Sequence, residues 1–208
     1  MTEILSLTIK PDQLYLFSPF FQQGVIIKTL VGCSIKDLLV RHLAITPEFA
    51  ESRIQTVFLD GKAVDDLDHA VIQDGSTLAL SGALPGLVGA TLRRGGFFAS
   101  LRHSITHRSE APSVQQKKGR IVLKLFNLLV PELGPFLLTK GVWIKKEDLD
   151  RFLGGLTSDF QKGSLEAAKN GRKLDVNSWV ELVRPMKNDL IFLKLDTTSS
   201  TDAAERGI

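Results

Sequence analysis

One cysteine, Cys33, has the position of an activated nucleophile in this chain. It lies just before a predicted helix, whose positive N-terminal end would favour the thiolate. A nucleophile also needs a base and an orienting group, and the sequence near Cys33 supplies neither. We therefore interpret Cys33 as a small buried side chain rather than a catalytic one.

Two other clusters carry the residue types of metal ligands. One cluster combines carboxylates with an imidazole: Asp65, Asp66, Asp68 and His69. It lacks the glycine and the distal glutamate of a calcium loop, so we predict a solvated turn. His103 and His107 would share a helix face, but they lack the glutamate of the zinc-protease motif and a third ligand. We expect no metal and no cofactor.

Glycines are frequent between residues 82 and 96, as they are in phosphate-cradling loops. However, no Gly-Lys-Ser/Thr and no Gly-x-Gly-x-x-Gly sequence is present. The chain thus shows no catalytic constellation, and we predict that it is not an enzyme.

Composition narrows the class of protein further. Of 208 residues, 43% are hydrophobic and 24% charged, which is typical of a folded globular protein. The net charge of +3 is too small for a dedicated nucleic-acid-binding protein. The start of the chain lacks the basic region of an export signal, and a single cysteine excludes an internal disulfide framework. We expect a cytoplasmic protein with no membrane span; the uncharged residues 75–92 suit a strand and a glycine-rich loop better.

Charge is nevertheless uneven along the chain. From residue 84 to residue 120, seven basic residues face one acidic residue, Glu110. With two histidines, the later part of this stretch forms a predicted basic patch: Arg102, His103, His107, Arg108, Lys117, Lys118 and Arg120. Three interpretations stay open: a docking face for an acidic protein, a nucleic-acid contact helped by stacking on Phe97 and Phe98, or a solvated linker.

The elements predicted for the first half alternate between strands and helices. Residues 14–21 and 25–31 have strand composition and predict a hairpin. Ser34 predicts the cap of a helix from Ile35 to Leu43, and Thr46 precedes a second helical turn. Strands are predicted for residues 54–59 and 76–81, separated by turns. Their apolar side chains and those of the helix form the predicted core: Ile35, Leu38, Leu39, Val57, Leu59, Leu78 and Leu80.

This order resembles the β-grasp sulfur carriers, the small subunit of molybdopterin synthase and its thiamine-pathway relative, within the ubiquitin-like superfamily. The sequences GCSIKDLL, FLDGKAV and DGSTLAL carry the resemblance, which covers about residues 14–85. The resemblance implies a reactive Gly-Gly end shortly after the last strand. Here the chain continues, and Gly95-Gly96 follows Leu92-Arg93-Arg94 in the manner of a ubiquitin-type tail.

The second half resembles no family. Helices are predicted for residues 121–130, 145–156, 164–171 and 178–186, and strands for residues 142–144 and 190–195. The predicted fold class is therefore α+β, an N-terminal β-grasp domain with a second, smaller, mainly helical domain. The predicted divisions are residues 10–85, a glycine-rich then basic linker 86–118, an α-rich domain 119–196 and a disordered tail 197–208.

The sequence thus predicts a non-enzymatic binding or adaptor protein. Its glycine-rich segment would enter a partner protein as an extended chain, because glycines let another backbone approach closely. The residues predicted to bind the partner are Pro85, Gly86, Gly89, Arg93, Arg94, Gly95 and Gly96. The resemblance implies an adenylating or cofactor-synthesis enzyme as that partner. The alternatives are a carrier precursor cleaved after Gly96 and a nucleic-acid-binding accessory protein that uses residues 93–120. The sequence does not predict an oligomeric state.

Overall fold

The computed structural model describes residues 2–102, 106–107, 115–155, 166–174, 183 and 185–197. The chain divides into two compact units. We call Phe21–Glu132 the middle unit, and Met1–Phe20 with Leu133–Ile208 the terminal unit. Each unit contributes five of the described strands.

The strands of the middle unit are β2 (Val25–Val31), β3 (Thr56–Leu59), β4 (Lys62–Ala63), β5 (Thr77–Ser81) and β6 (Lys117–Phe126). Their order is β4-β3-β5-β6-β2. The pair β5–β6 is parallel, whereas β3–β4, β3–β5 and β2–β6 are antiparallel. Asp60 and Gly61, both with positive φ, form the tight turn between β3 and β4, as their sequence predicts.

The helices of the middle unit follow their capping signals. Ser34 caps α2 (Ile35–Asp37) by accepting from the Asp37 N–H, and a wider π turn over Leu38–His42 continues this helix. Thr46 caps α3 (Pro47–Ser52), with proline at the first helical position. The seven predicted core residues are all at most 1% exposed, so this prediction is confirmed.

The predicted hairpin of residues 14–31 is wrong. Its first half is helical instead: a 3₁₀ helix over Pro11–Phe17, then α1 (Ser18–Gln23). Phe17, Phe20 and Phe21 are buried, and their spacing of three and four residues places them on one helical face. The neighbour of β2 is β6, which comes much later in the chain.

The terminal unit joins the two halves of the sequence in one set of strands. These are β1 (Ile4–Ile9), β7 (Val142–Lys145), β8 (Glu166–Lys169), β9 (Arg172–Leu174) and β10 (Leu190–Thr197), in the order β7-β10-β1-β8-β9. β1 is parallel to β10 and antiparallel to β8. Its buried Leu5, Leu7 and Ile9 alternate with less buried residues. Two helices complete the described elements here: α5 (Leu129–Lys140), which begins in the middle unit, and α6 (Lys146–Gly154).

The predicted division into an N-terminal β-grasp domain and a separate, mainly helical domain is therefore wrong, because β6 from the second half pairs with β2 and β5 of the first half. The protein is α+β, and strands from both ends of the sequence pair with each other. Two predicted helices are strands. Residues 121–130 mostly lie in β6, where Ile121, Leu123 and Leu125 alternate toward the core. Residues 164–171 contain β8, which turns into β9 through Asn170 and Gly171, both with positive φ.

Of the remaining elements predicted for the second half, some are present in the structure and others involve residues that it does not describe. The strands β7 and β10 and the helix α6 lie where the sequence predicts them. The predicted helix of residues 178–186 and the predicted tail 197–208 fall largely outside the described residues, and Thr197, the first residue of that tail, is the last residue of β10. In the described part of the chain, no helix combines the length and the apolar character needed to cross a bilayer.

Candidate functional site

The segment after β5 is a helical hairpin rather than an extended loop. α4 (Gly86–Leu92) is followed by a turn at Arg93–Gly96 and by a 3₁₀ helix over Phe97–Arg102. We call residues 86–102 the helical hairpin. Gly95, with a φ of +62°, allows the turn, and the Gly96 N–H donates to the Arg93 carbonyl at 3.2 Å. The predicted partner-binding glycines therefore shape a folded element.

Arg94 fastens the hairpin to α3. Its Nη2 atom lies 3.4 Å from each of the carbonyl oxygens of Ala50, Glu51 and Ile54, which share its two N–H hydrogens. It also forms an ion pair with the Glu51 carboxylate at 3.2 Å. A guanidinium in this position satisfies carbonyls that the end of a helix leaves without partners. Arg94, predicted to bind a partner, is thus an internal anchor.

Arg102 is a second anchor, and it is almost completely buried. Its Nη2 atom lies 2.5 Å from Asp65 Oδ1, its Nε donates to the Thr91 carbonyl at 2.7 Å, and its Nη1 donates to Thr106 Oγ1 at 3.1 Å. The same carboxylate oxygen of Asp65 accepts from the Gly95 N–H at 3.0 Å. Asp65 therefore holds the turn and the end of the hairpin together.

Gly89 packs the first helix of the hairpin against the segment that precedes it. A Cβ atom at this position would lie 1.9 Å from the carbonyl oxygen of Leu84. Glycine is therefore required at this close approach. By contrast, Gly86 has open space around it, and Pro85 occupies the exposed cap position of α4.

The outer surface of the hairpin is apolar. Leu87 is 70% exposed, Phe97 90% and Leu101 71%, and Val88 and Phe98 are also exposed. The rings of Phe97 and Phe98 meet edge to face, with centroids 5.2 Å apart. Of nine exposed large hydrophobic residues in the described part of the chain, five lie in this hairpin. Exposed large apolar side chains are therefore concentrated in this element instead of being scattered singly, as is usual on protein surfaces.

The sequence missed Leu87, Val88 and Leu101 as surface residues. A signal was present for Leu101, because it has the spacing of one helical face with Phe97 and Phe98. Arg93 is the exposed cation of the turn. Arg93, Gly95 and Gly96 thus meet in the turn, whereas Arg94 and Gly89 face inward.

The predicted basic patch does not form as a unit. Arg102 is buried, and His103 and Arg108 lie outside the described residues. The His107 N–H donates to the Ala63 carbonyl at 2.7 Å, which places this histidine beside β4. Lys117, Lys118 and Arg120 are exposed at the start of β6. Strand geometry directs Lys118 and Arg120 to one face and Lys117 to the other.

The remaining chemical candidates have structural partners. Asp66 accepts hydrogen bonds from the backbone of Asp68 and His69 and contacts the His69 ring at 2.7 Å. Asp68 forms an ion pair with Lys36 at 2.9 Å. Across the described ranges, no group of three or more potential ligands is arranged to hold a metal ion.

Cys33 is buried beside the start of α2. Burial raises the pKa of the Cys33 thiol, and the negative charge of Asp37 raises it further. The Sγ atom lies 3.5 Å from the Leu30 carbonyl oxygen. This environment favours the neutral thiol, the opposite of what a nucleophile requires.

Comparison of the chain with protein-family models, with curated proteins and with solved structures gives no match. The resemblance to β-grasp sulfur carriers therefore stays a prediction.

Proposed function

We propose that this protein is a non-enzymatic binding protein that docks onto a partner protein through its helical hairpin. The observation that carries the proposal is the concentration of exposed Leu87, Phe97 and Leu101 on one short, firmly anchored element. Large apolar side chains in contact with water are costly, and a contiguous patch of them is typical of interaction sites.

The anchors make the hairpin a preformed docking element. Arg94 connects it to α3 and the residues that follow α3, and Arg102 connects it to the Asp65 carboxylate. A surface that is ordered before binding loses less conformational entropy on association, which favours affinity. The extended insertion predicted from the glycines does not suit a segment that is helical.

The chemistry of the patch favours an apolar protein surface bordered by carboxylates. Leucine, valine and phenylalanine side chains would fill the centre of the interface, where aromatic residues contribute strongly. Exposed Arg93 lies at the turn of the hairpin and would contribute an attractive charge at the border. An adenylating or cofactor-synthesis enzyme is the partner that the sequence resemblance implies.

A pair of leucines provides a matched test. Leu101 lies in the hairpin, whereas Leu128 lies in the middle unit outside it and is 59% exposed. A photo-reactive phenylalanine analogue placed at position 97 or 128 identifies the partner in extracts of the source cells by mass spectrometry. The identified protein is then purified, and its Kd is measured for wild type, Leu101→Ser and Leu128→Ser.

We expect crosslinks from position 97 only, and a Kd raised at least about thirtyfold by Leu101→Ser, as for a central interface residue. Leu128→Ser should leave the Kd within about twofold, and both variants should keep wild-type stability within about 0.5 kcal/mol. Equal effects of the two substitutions would contradict the proposal. So would crosslinks solely between copies of this chain, or co-sedimentation with lipid vesicles that depends on Leu101.

A further inference from the structure

One face of β6 combines positive charge with apolar side chains. Successive residues of a strand point to opposite faces, so the even-numbered positions of β6 share a face: Lys118, Arg120, Val122, Lys124 and Phe126. On the other face, Ile121, Leu123 and Leu125 are fully buried. All five even-numbered residues are half-buried or exposed. We call these five residues the basic sheet face.

The neighbouring strands extend this face. Lys124 pairs with Ala79 of β5, which pairs with Phe58 of β3, so these three side chains lie in one row. The small Ala79 leaves a shallow space about 10 Å wide between Lys124 and Phe58, given the usual distance between strands. Lys28 of β2 is directly opposite Arg120 and points to the same side.

The Asp74 carboxylate contacts β6 on the side opposite the basic sheet face. Asp74 accepts from the Arg120 N–H at 2.8 Å. A Cβ atom at Gly119 would lie 2.9 Å from the Asp74 carboxylate, which places this carboxylate on the odd-numbered side of the strand. Among the ion pairs of the described residues, none involves Lys118, Arg120 or Lys124.

We infer that the basic sheet face binds single-stranded nucleic acid. Side chains two residues apart on a strand are about 6.7 Å apart, so the cations form a row that can follow a phosphate backbone. Phe126 and Phe58 offer rings on which unpaired bases can stack. An open sheet does not enter the groove of a duplex as a helix or a two-stranded ribbon does. The face uses no residue of the helical hairpin, so this inference and the proposed function fail independently.

The test measures binding of the full chain to a fluorescent single-stranded oligonucleotide of mixed sequence by anisotropy. Two triple variants remove equal charge. The first is Lys118→Gln, Arg120→Gln and Lys124→Gln on the basic sheet face. The second is Lys10→Gln, Lys62→Gln and Lys145→Gln, which changes exposed lysines elsewhere. Both are compared with wild type over a salt series that starts at about 50 mM.

We expect the first variant to bind at least about tenfold more weakly and to lower the magnitude of the salt slope by about 2, because each lost phosphate contact removes about 0.7. The second variant should bind within about twofold of wild type. Phe126→Ala should weaken binding about tenfold without changing the salt slope, since stacking does not release counterions. Circular dichroism and thermal unfolding verify that the variants are folded.

Four results would overturn the inference. The first is no binding by wild type at low salt, and the second is an equal loss in both triple variants, which indicates non-specific attraction. The third is binding of a duplex of the same length that is as tight as binding of the single strand. The fourth is a loss of affinity in the first triple variant that is equally large for an acidic protein, together with unchanged oligonucleotide binding by Phe126→Ala. The face would then recognise only charge.

Discussion

Arg102 is the one charged residue in the described part of the chain that is nearly fully buried, with 4% of its surface exposed. Removing a guanidinium from water is costly unless its N–H groups find acceptors. Here the acceptors are the Asp65 carboxylate, the Thr91 carbonyl and the Thr106 hydroxyl. The arginine therefore contributes to the position of the hairpin, and its effect should be visible in the stability of the protein.

We predict that Arg102→Met lowers the free energy of unfolding by about 3 kcal/mol, because it leaves Asp65 and the Thr91 carbonyl without their buried partner. Arg93→Met is the control, since Arg93 is exposed, and its effect should stay within about 0.5 kcal/mol. Urea unfolding followed by circular dichroism measures both. A loss below about 1 kcal/mol for Arg102→Met would show that the ion pair does not stabilise the fold.

A second prediction at this scale concerns the thiol. Because burial raises the pKa of Cys33, the fraction of reactive thiolate at a given pH is smaller in the folded protein than in the unfolded chain. Iodoacetamide should therefore alkylate the native protein at least about tenfold more slowly than the urea-unfolded protein at about pH 8. Mass spectrometry follows the reaction. Rapid alkylation of the native protein at neutral pH would restore the nucleophile interpretation.

At the scale of elements, two helical glycines distinguish the effect of side-chain packing on stability from the effect of backbone conformational freedom. Gly89 lies in α4 against the Leu84 backbone, whereas Gly154 lies in α6 with nothing close to the position of a Cβ atom. At a helical position, alanine is more favourable than glycine by about 1 kcal/mol. The same substitution should consequently have opposite effects in the two helices.

We predict that Gly89→Ala lowers stability by about 1–3 kcal/mol through overpacking and speeds hydrogen exchange in the hairpin. Gly154→Ala should raise stability by about 0.5–1 kcal/mol. Thermal unfolding and peptide-level hydrogen exchange measure the two effects. If Gly89→Ala were neutral, the hairpin would not be packed against Leu84.

The elements that sequence predicts best are those with local signals. Ser34, Thr46 and the Asp60-Gly61 turn each act through hydrogen bonds or torsion angles within a few residues. β6 depends instead on pairing with β2 and β5, which a continuous apolar run does not reveal. At the candidate site, sequence indicated the segment but not its conformation, because Arg94 and Arg102 bind the Ile54 carbonyl and the Asp65 carboxylate, which lie far away in the chain.

At the scale of the whole molecule, pairing between distant segments decides which fragments can fold. Residues 10–85 lack β6, which lies between β5 and β2 in the middle unit. Phe21–Glu132 contains all five strands of that unit. A central strand cannot be removed without leaving two rows of backbone groups unpaired and the core open.

We predict that residues 10–85 alone show no cooperative unfolding transition, whereas residues 21–132 do. Circular dichroism during a urea titration distinguishes the two, because a fragment without a core changes gradually. A sharp transition in the shorter fragment would support the β-grasp domain predicted from the sequence and contradict the role of β6 described here.

The pairing of β1 with β10 also has a consequence for synthesis on the ribosome. Ile4 is paired with Phe192, so β1 must wait for almost the entire described chain before its parallel neighbour exists. At about 5–20 residues per second, this wait is roughly 10–40 s, while every strand of the middle unit has already been made. We therefore expect the middle unit to fold before the terminal unit. β1 is therefore synthesised early but pairs with β10 late, and it carries the apolar side chains Leu5, Leu7 and Ile9. We expect aggregation during rapid expression to begin at this strand.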